Sequence, residues 1–138
     1  MKQPTHLIPF PQFRQSTEWS CGAAALQMVL AYFGIDRREE QLCALAGTTS
    51  KWGTTVTGMQ RLLRAHGMRS RARQHMTISE VQGCIRKKIP VILLLQAWTK
   101  KKNVNWRNDW KDGHYAIAIG YNARHMIFAD PASIHLTV

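Results

Sequence analysis

A cysteine followed by glycine, Cys21-Gly22, opens a run at residues 23–33 in which Gln27 is the one strongly polar side chain. Ser20 before it is a good N-cap and Gly34 after it a good C′ residue, so the run predicts a buried helix with Cys21 at its first position. Backbone N–H groups there lack intrahelical partners, and the positive end of the helix dipole favours a thiolate, the nucleophilic form of sulfur. His114 follows Asp112-Gly113 at the start of the apolar run 114–121, and Asp130-Pro131 closes the next run, 125–129. The short connection Asn122-Ala123-Arg124 predicts a β-hairpin, which brings the start of one strand beside the end of the other and so His114 beside Asp130. A thiolate, an imidazole and a carboxylate make a nucleophile, a base and its orienter, suited to attack on a carbonyl carbon. Gln15, six residues before the cysteine, can return its amide as an oxyanion donor beside the Cys21 N–H.

The elements that must position these groups follow in order. Asp36 with Glu39 reads as a capping box for a second helix, with Ile35, Leu42 and Leu45 inward and Gly47 as its stop. A polar loop at residues 48–55 carries Trp52. It leads to a helix over residues 57–66 with Met59, Leu62 and Leu63 inward. Residues 68–74 alternate Met68, Ser70, Ala72 against Arg69, Arg71, Arg73, which predicts a strand with one wet face. Thr77 with Glu80 forms a capping box that opens a short helix reaching Lys88. Residues 90–95 and 114–121 then each read as a buried central strand, the second opening the hairpin. Helices first and an antiparallel sheet second give an α+β fold, one domain over residues 1–138.

Composition narrows the class. Hydrophobic content of 45% and charged content of 20% are those of a globular protein, and no apolar run is long enough for a membrane span. The N-terminus lacks an apolar core of signal-peptide length, so a cytoplasmic location is expected. Cys21, Cys43 and Cys84 have no paired spacing, which fits a reducing compartment; Cys43 and Cys84 are expected to be buried thiols. Residues 61–107 hold twelve basic side chains and one acid, Glu80, within a chain of net charge +11. Such a field attracts anionic partners, but no zinc-finger spacing, aromatic RNA-binding motif or long basic helix accompanies it. Nucleic acid is therefore not expected as the main partner. His66, His75, His125, Cys43 and Cys84 lack metal-ligand spacing, and neither a metal nor a cofactor is implied. Trp98, Trp106 and Trp110, interleaved with basic residues in the irregular stretch before Gly113, are expected to form an apolar lid over the cleft, the alternatives being to stack bases or to line a substrate pocket.

The pattern Gln15-x5-Cys21-Gly22-x-Ala24-x-Leu26-x-Met28, then Gly53-Thr54-Thr55 with Gly58, then Asp112-Gly113-His114-Tyr115 with Asp130-Pro131 resembles the C39 family of papain-like cysteine peptidases. The resemblance runs from about residue 13 to residue 131 in the family's order. It implies a papain-like fold, with a central cysteine-bearing helix packed on a C-terminal antiparallel sheet. By the same likeness Gln15 is the oxyanion-hole residue, Cys21 the nucleophile, His114 the general base and acid, and Asp130 the orienter. The implied partner is a polypeptide substrate, acidic if the basic stretch takes part. Ser20 stands where transporter-linked members usually carry an acid, and no transporter domain follows, so the free-standing group is the nearer likeness. Val138 lies seven residues past Pro131, where relatives typically continue, which leads to the expectation of a missing closing element.

Other readings use the same residues. The triad could deamidate a protein glutamine or transfer an acyl group to an amine, since sequence does not separate water from an amine as acceptor. A domain keeping the scaffold only to bind an anionic partner through its basic stretch is the non-enzymatic reading. An intact cysteine, histidine and aspartate at converging element ends argues against it.

Overall fold

The computed structural model describes residues 6–96 and 113–133. Its elements run β1 (His6–Leu7), α1 (Cys21–Tyr32), α2 (Glu39–Ala46), α3 (Val56–Ala65), α4 (Ile78–Arg86), β2 (Val91–Gln96), β3 (Gly113–Tyr121) and β4 (Met126–Ala129). After the two-residue β1, the four helices precede the three longer strands of the antiparallel sheet, as expected of an α+β chain. The predicted tryptophan lid at Trp98, Trp106 and Trp110, and Asp112, lie outside the described residues.

The apolar run after Cys21 becomes the centre of the core. In α1, Gly22 to Leu26 and Met28 to Leu30 are buried, and the helix packs against α2 and β3. Gly34 ends it with φ +83°, while the N–H of Ile35 reaches back to the Leu30 carbonyl at 2.8 Å. Only glycine takes that φ without a Cβ clash. The sheet is organised on β3, whose residues after Gly113 are all buried. β2 pairs with it from Val91↔Ala118 to Gln96↔Gly113, and β1 pairs beyond, His6↔Tyr121. β4 pairs with Ile117 to Tyr121 and is offset by an irregularity between Ala118 and Gly120. The predicted hairpin forms, closed by Asn122 Oδ1, which accepts from the N–H groups of Arg124 and His125 at 2.8 Å each.

Four local expectations are corrected. Of the two strands expected to be central and buried, β3 is and β2 is not. Residues Val91 to Leu93 of β2 are only half-buried and Leu94 is exposed, because β2 has β3 as its one partner among the described residues. Residues 68–74 form no strand. Their alternation is real, but no described sheet edge lies beside them, and they are held by side chains, Gln60 to Ser70 at 3.2 Å and Arg73 to Glu80 at 2.5 Å. The cap of α2 is Arg38, whose N–H donates to Gln41 Oε1 at 3.1 Å, while Glu39 turns away from Asp36 to a distant partner. Cys43 and Cys84 are half-buried, since both lie at the margin of their helices' apolar faces. The Thr77–Glu80 capping box is present as predicted.

Candidate active site

The segment before α1 is a compact loop tied at several points. The Ser20 hydroxyl, instead of capping α1, hydrogen-bonds Thr17, accepting from its N–H at 3.1 Å and donating to its carbonyl at 3.2 Å. Gln15 donates Nε2 to the same Thr17 carbonyl at 2.7 Å, and its backbone N–H donates to the Pro131 carbonyl at 2.8 Å. That bond fastens the loop to the strand end that carries Asp130. One hydrogen of the Gln15 amide is thus engaged. The second has no acceptor among the described residues, and Oε1 is buried without a partner among them. On the outer side, Ser16 gives its N–H and hydroxyl to the Glu39 carboxylate, at 3.1 Å to Oε2 and 3.1 Å to Oε1.

Cys21 opens α1, as the sequence predicted, and its sulfur is half-buried. The start of α1 is fitted closely against its surroundings. A Cβ on Gly22 would come within 2.6 Å of Thr54 Cβ and 3.2 Å of the Tyr115 ring. Thr54 is buried; its hydroxyl meets Thr48 Oγ1 at 2.6 Å and its carbonyl accepts from the Tyr115 hydroxyl at 2.8 Å. Residues 49 and 53 pair in a tight turn that presents Trp52 with 75% of its surface exposed.

His114 and Asp130 are both buried, at 6% and 5% exposure, and His114 Nε2 lies 2.6 Å from Asp130 Oδ1. The hairpin brings them together as the register requires, with His114 the second residue of β3 and Asp130 the residue after β4. Asp130 Oδ1 also accepts from the Ala132 N–H at 2.9 Å. Since Nε2 faces the carboxylate, Nδ1 is the nitrogen left for the sulfur, and His114 does hydrogen-bond Cys21. The structure therefore joins Cys21, His114 and Asp130 in one chain of contacts and sets Gln15 on the loop bonded to it.

The electrostatics are those of an ion pair. Burial pushes the Cys21 thiol up, but the hydrogen bond from His114, the N–H of Tyr115, the imidazolium charge and the N–H of Gly22 together hold it below the ordinary thiol value. Burial works against the His114 imidazolium, yet hydrogen bonds to Asp130 and Cys21 and the charges of both push it up to about 9. Asp130, despite burial, is held below the usual carboxylate value by His114 and the Ala132 N–H. Tyr115 is pushed up to about 12 by burial and by the Cys21 charge. Cys43 moves the opposite way from Cys21, raised by burial and by Glu39. Tyr115 is the site residue that the sequence reading left unassigned. Its role is carried by the backbone N–H, so only its position next to His114 signalled it.

A helix-borne cysteine set against a histidine on an antiparallel sheet defines the papain-like class of thiol enzymes. Within that class the chain belongs to the Peptidase C39 family, whose model matches residues 10–138. An uncharacterized protein of Methanothermobacter thermautotrophicus is 28% identical over 124 residues, covering 90% of this chain and 73% of the relative. A second, from Methanothermobacter marburgensis, is 29% identical over 86% of this chain and 70% of its own length. Among solved structures, a putative C39-like peptidase from Bacillus anthracis matches with TM-score 0.71 at 15% identity, covering 97% of this chain and 86% of that one. A double glycine motif protease from an AMS/PCAT transporter, in complex with the leader peptide, matches with TM-score 0.66 at 21% identity over 96% and 83%. The peptidase domain of Streptococcus ComA, a bifunctional ABC transporter of a quorum-sensing pathway, matches with TM-score 0.65 at 19% identity over 91% and 82%. These likenesses show the papain-like α+β fold. Among the described residues no helix is long and apolar enough to cross a membrane.

Proposed function

We propose that this protein is a thiol peptidase that cleaves a peptide or amide bond in a polypeptide. The observation that carries the reading is the buried contact of 2.6 Å between His114 Nε2 and Asp130 Oδ1, which leaves the opposite ring nitrogen for the Cys21 sulfur. The thiolate attacks the scissile carbonyl carbon, forming a C–S bond and moving the carbonyl electron pair onto oxygen. The Cys21 N–H, at the first helical position where no intrahelical acceptor is available, and the second Gln15 Nε2 hydrogen donate to that oxyanion. His114 passes its proton to the leaving nitrogen as the C–N bond breaks, giving a free amine and a thioester. Water then attacks the thioester, His114 takes its proton, and the C–S bond breaks to release a carboxylic acid and restore the ion pair. Asp130 holds the ring orientation through both steps.

The test is the pH dependence of alkylation of Cys21 by iodoacetamide, with Cys43 and Cys84 in the same molecule as references. Cys21 is expected to react quickly below the free-thiol pKa of about 8.5 and to lose that advantage in His114→Ala. Equal rates at all three cysteines would sink the reading.

A further inference from the structure

Residues 61–88 carry eight basic side chains against one acid, Glu80. Two of the eight are engaged, Arg73 with Glu80 at 2.5 Å and Arg86 with the Tyr121 hydroxyl at 2.9 Å. The other six are exposed, and no acidic group pairs with them among the described residues. Four of these gather on one side. In α3, Thr57, Arg61 and Arg64 follow at steps of four and three residues, one stripe of the helix, while Met59, Leu62 and Leu63 are buried. The Gln60–Ser70 bond lays the following segment along α3, with Arg69 and Arg71 on either side of Ser70. This segment has fixed ends. The Met68 N–H donates to the Leu63 carbonyl at 2.9 Å, and Arg73 is held by Glu80.

We propose that Arg61, Arg64, Arg69 and Arg71 form a docking track, outside the cleft, for an acidic segment of the polypeptide substrate. The proposal rests on the peptidase reading. Position favours a polypeptide: Thr55 caps α3 and follows the Thr54 that packs on Gly22, so Arg61 and Arg64 lie roughly 9 and 14 Å along the helix from that cap. An extended peptide rises about 3.3 Å per residue, so about five residues of one chain span the length from that cap to Arg64. Chemistry favours carboxylates that can be met two hydrogen bonds at a time, because all four groups are guanidinium forks. Residues 61–88 contain no Phe, Tyr or Trp on which a base could stack. Exposed large apolar side chains flank the track singly, Val56 before it and Ile78 after it, with none between residues 57 and 77, so the track has no contiguous apolar face for a bilayer.

The test measures binding of a fluorescein-labelled, glutamate-rich peptide to the Cys21→Ala protein by anisotropy, so that the probe stays intact. Arg61→Glu with Arg64→Glu is expected to weaken binding at least about tenfold, and Arg69→Glu with Arg71→Glu similarly, through lost pairing and like-charge repulsion. Lys87→Glu with Lys88→Glu makes the same change in net charge off the track and is expected to leave affinity within about twofold. Parallel thermal unfolding checks each variant, and Arg→Gln pairs replace any that does not fold. Equal weakening by the Lys87/Lys88 pair, or no weakening by the arginine pairs, overturns the track. So does tighter binding of a short DNA duplex or of phosphatidylserine vesicles that is lost with the same arginines. Cys21 alkylation in the wild-type protein does not involve the track, so it reports separately on the peptidase reading.

Discussion

At the residue scale the site depends on where one proton resides. Between the lowered pKa of Cys21 and the value of about 9 for His114, the stable pair is thiolate and imidazolium. Turnover is expected to fall on the acid side as sulfur takes a proton and on the alkaline side, through about pH 9, as His114 loses the proton it must give the leaving amine. Asp130→Asn removes a carboxylate that raises the His114 pKa, so the alkaline limb is expected to move to lower pH while some turnover remains. A pH–rate profile of kcat/KM checks both limbs, and an unmoved alkaline limb in Asp130→Asn would assign it to another group. The same pair bears on folding. His114 has a folded pKa above its ordinary 6.5, so its stabilisation is fully present below that value and is lost as pH rises through about 9. Cys21 has a lowered folded pKa, so its contribution is complete above the ordinary thiol value and declines as pH falls through the lower one.

At the scale of elements, what was legible in the sequence was what each element settles by itself. The Thr77–Glu80 box and the Asn122 turn rest on side chains within a few residues of the backbone they bond, and the buried helix after Cys21 rests on its own apolar run and the glycine that ends it, so local pattern was enough. Glu39 was misread for the opposite reason. It carries a capping signal, but its carboxylate meets Ser16, 23 residues earlier, a partner visible only once α2 lies beside the loop before α1. Periodicity likewise reported the two faces of residues 68–74 without showing that a strand partner was missing. The displaced Glu39 now carries a consequence. The loop of Gln15 and Ser16 is held by Pro131 on one side and Glu39 on the other. Glu39→Ala is therefore expected to slow turnover by about tenfold through a loosened Gln15, since one oxyanion donor is worth about 10²–10³ when removed outright. Iodoacetamide alkylation of Cys21 forms no oxyanion and is expected to stay near the wild-type rate. Glu39→Gln keeps acceptors for Ser16 and is expected to recover most of the loss. A drop in both turnover and alkylation would point instead to a damaged α1.

At the scale of the whole molecule, β3 links two ends with different work. Its start holds His114 and the Tyr115 N–H against Cys21; its far end pairs with β1 and β4, where a Cβ on Gly120 would come within 2.8 Å of the His6 carbonyl oxygen and 2.9 Å of Leu7 Cδ1. That oxygen belongs to backbone, so β1 must shift if Gly120 gains a side chain. Gly120 lies six positions along β3 from His114, about 20 Å of strand, and β2 clamps the stretch between them. Gly120→Val is accordingly expected to lower stability by about 1–3 kcal/mol, the usual range for overpacking, and the midpoint of thermal unfolding with it. Below that midpoint the ratio of Cys21 to Cys43 alkylation is expected to stay at its wild-type value, because the Cys21–His114 ion pair and the Tyr115 and Gly22 N–H groups that support it lie at or against the other end of the strand. A reduced midpoint with an unchanged ratio would show that the sheet transmits little strain along β3. If the ratio fell with stability, the β1 edge and the active-site edge would form a single cooperative unit, and Gln15, which follows β1 in the chain, would be the route by which the disturbance arrives.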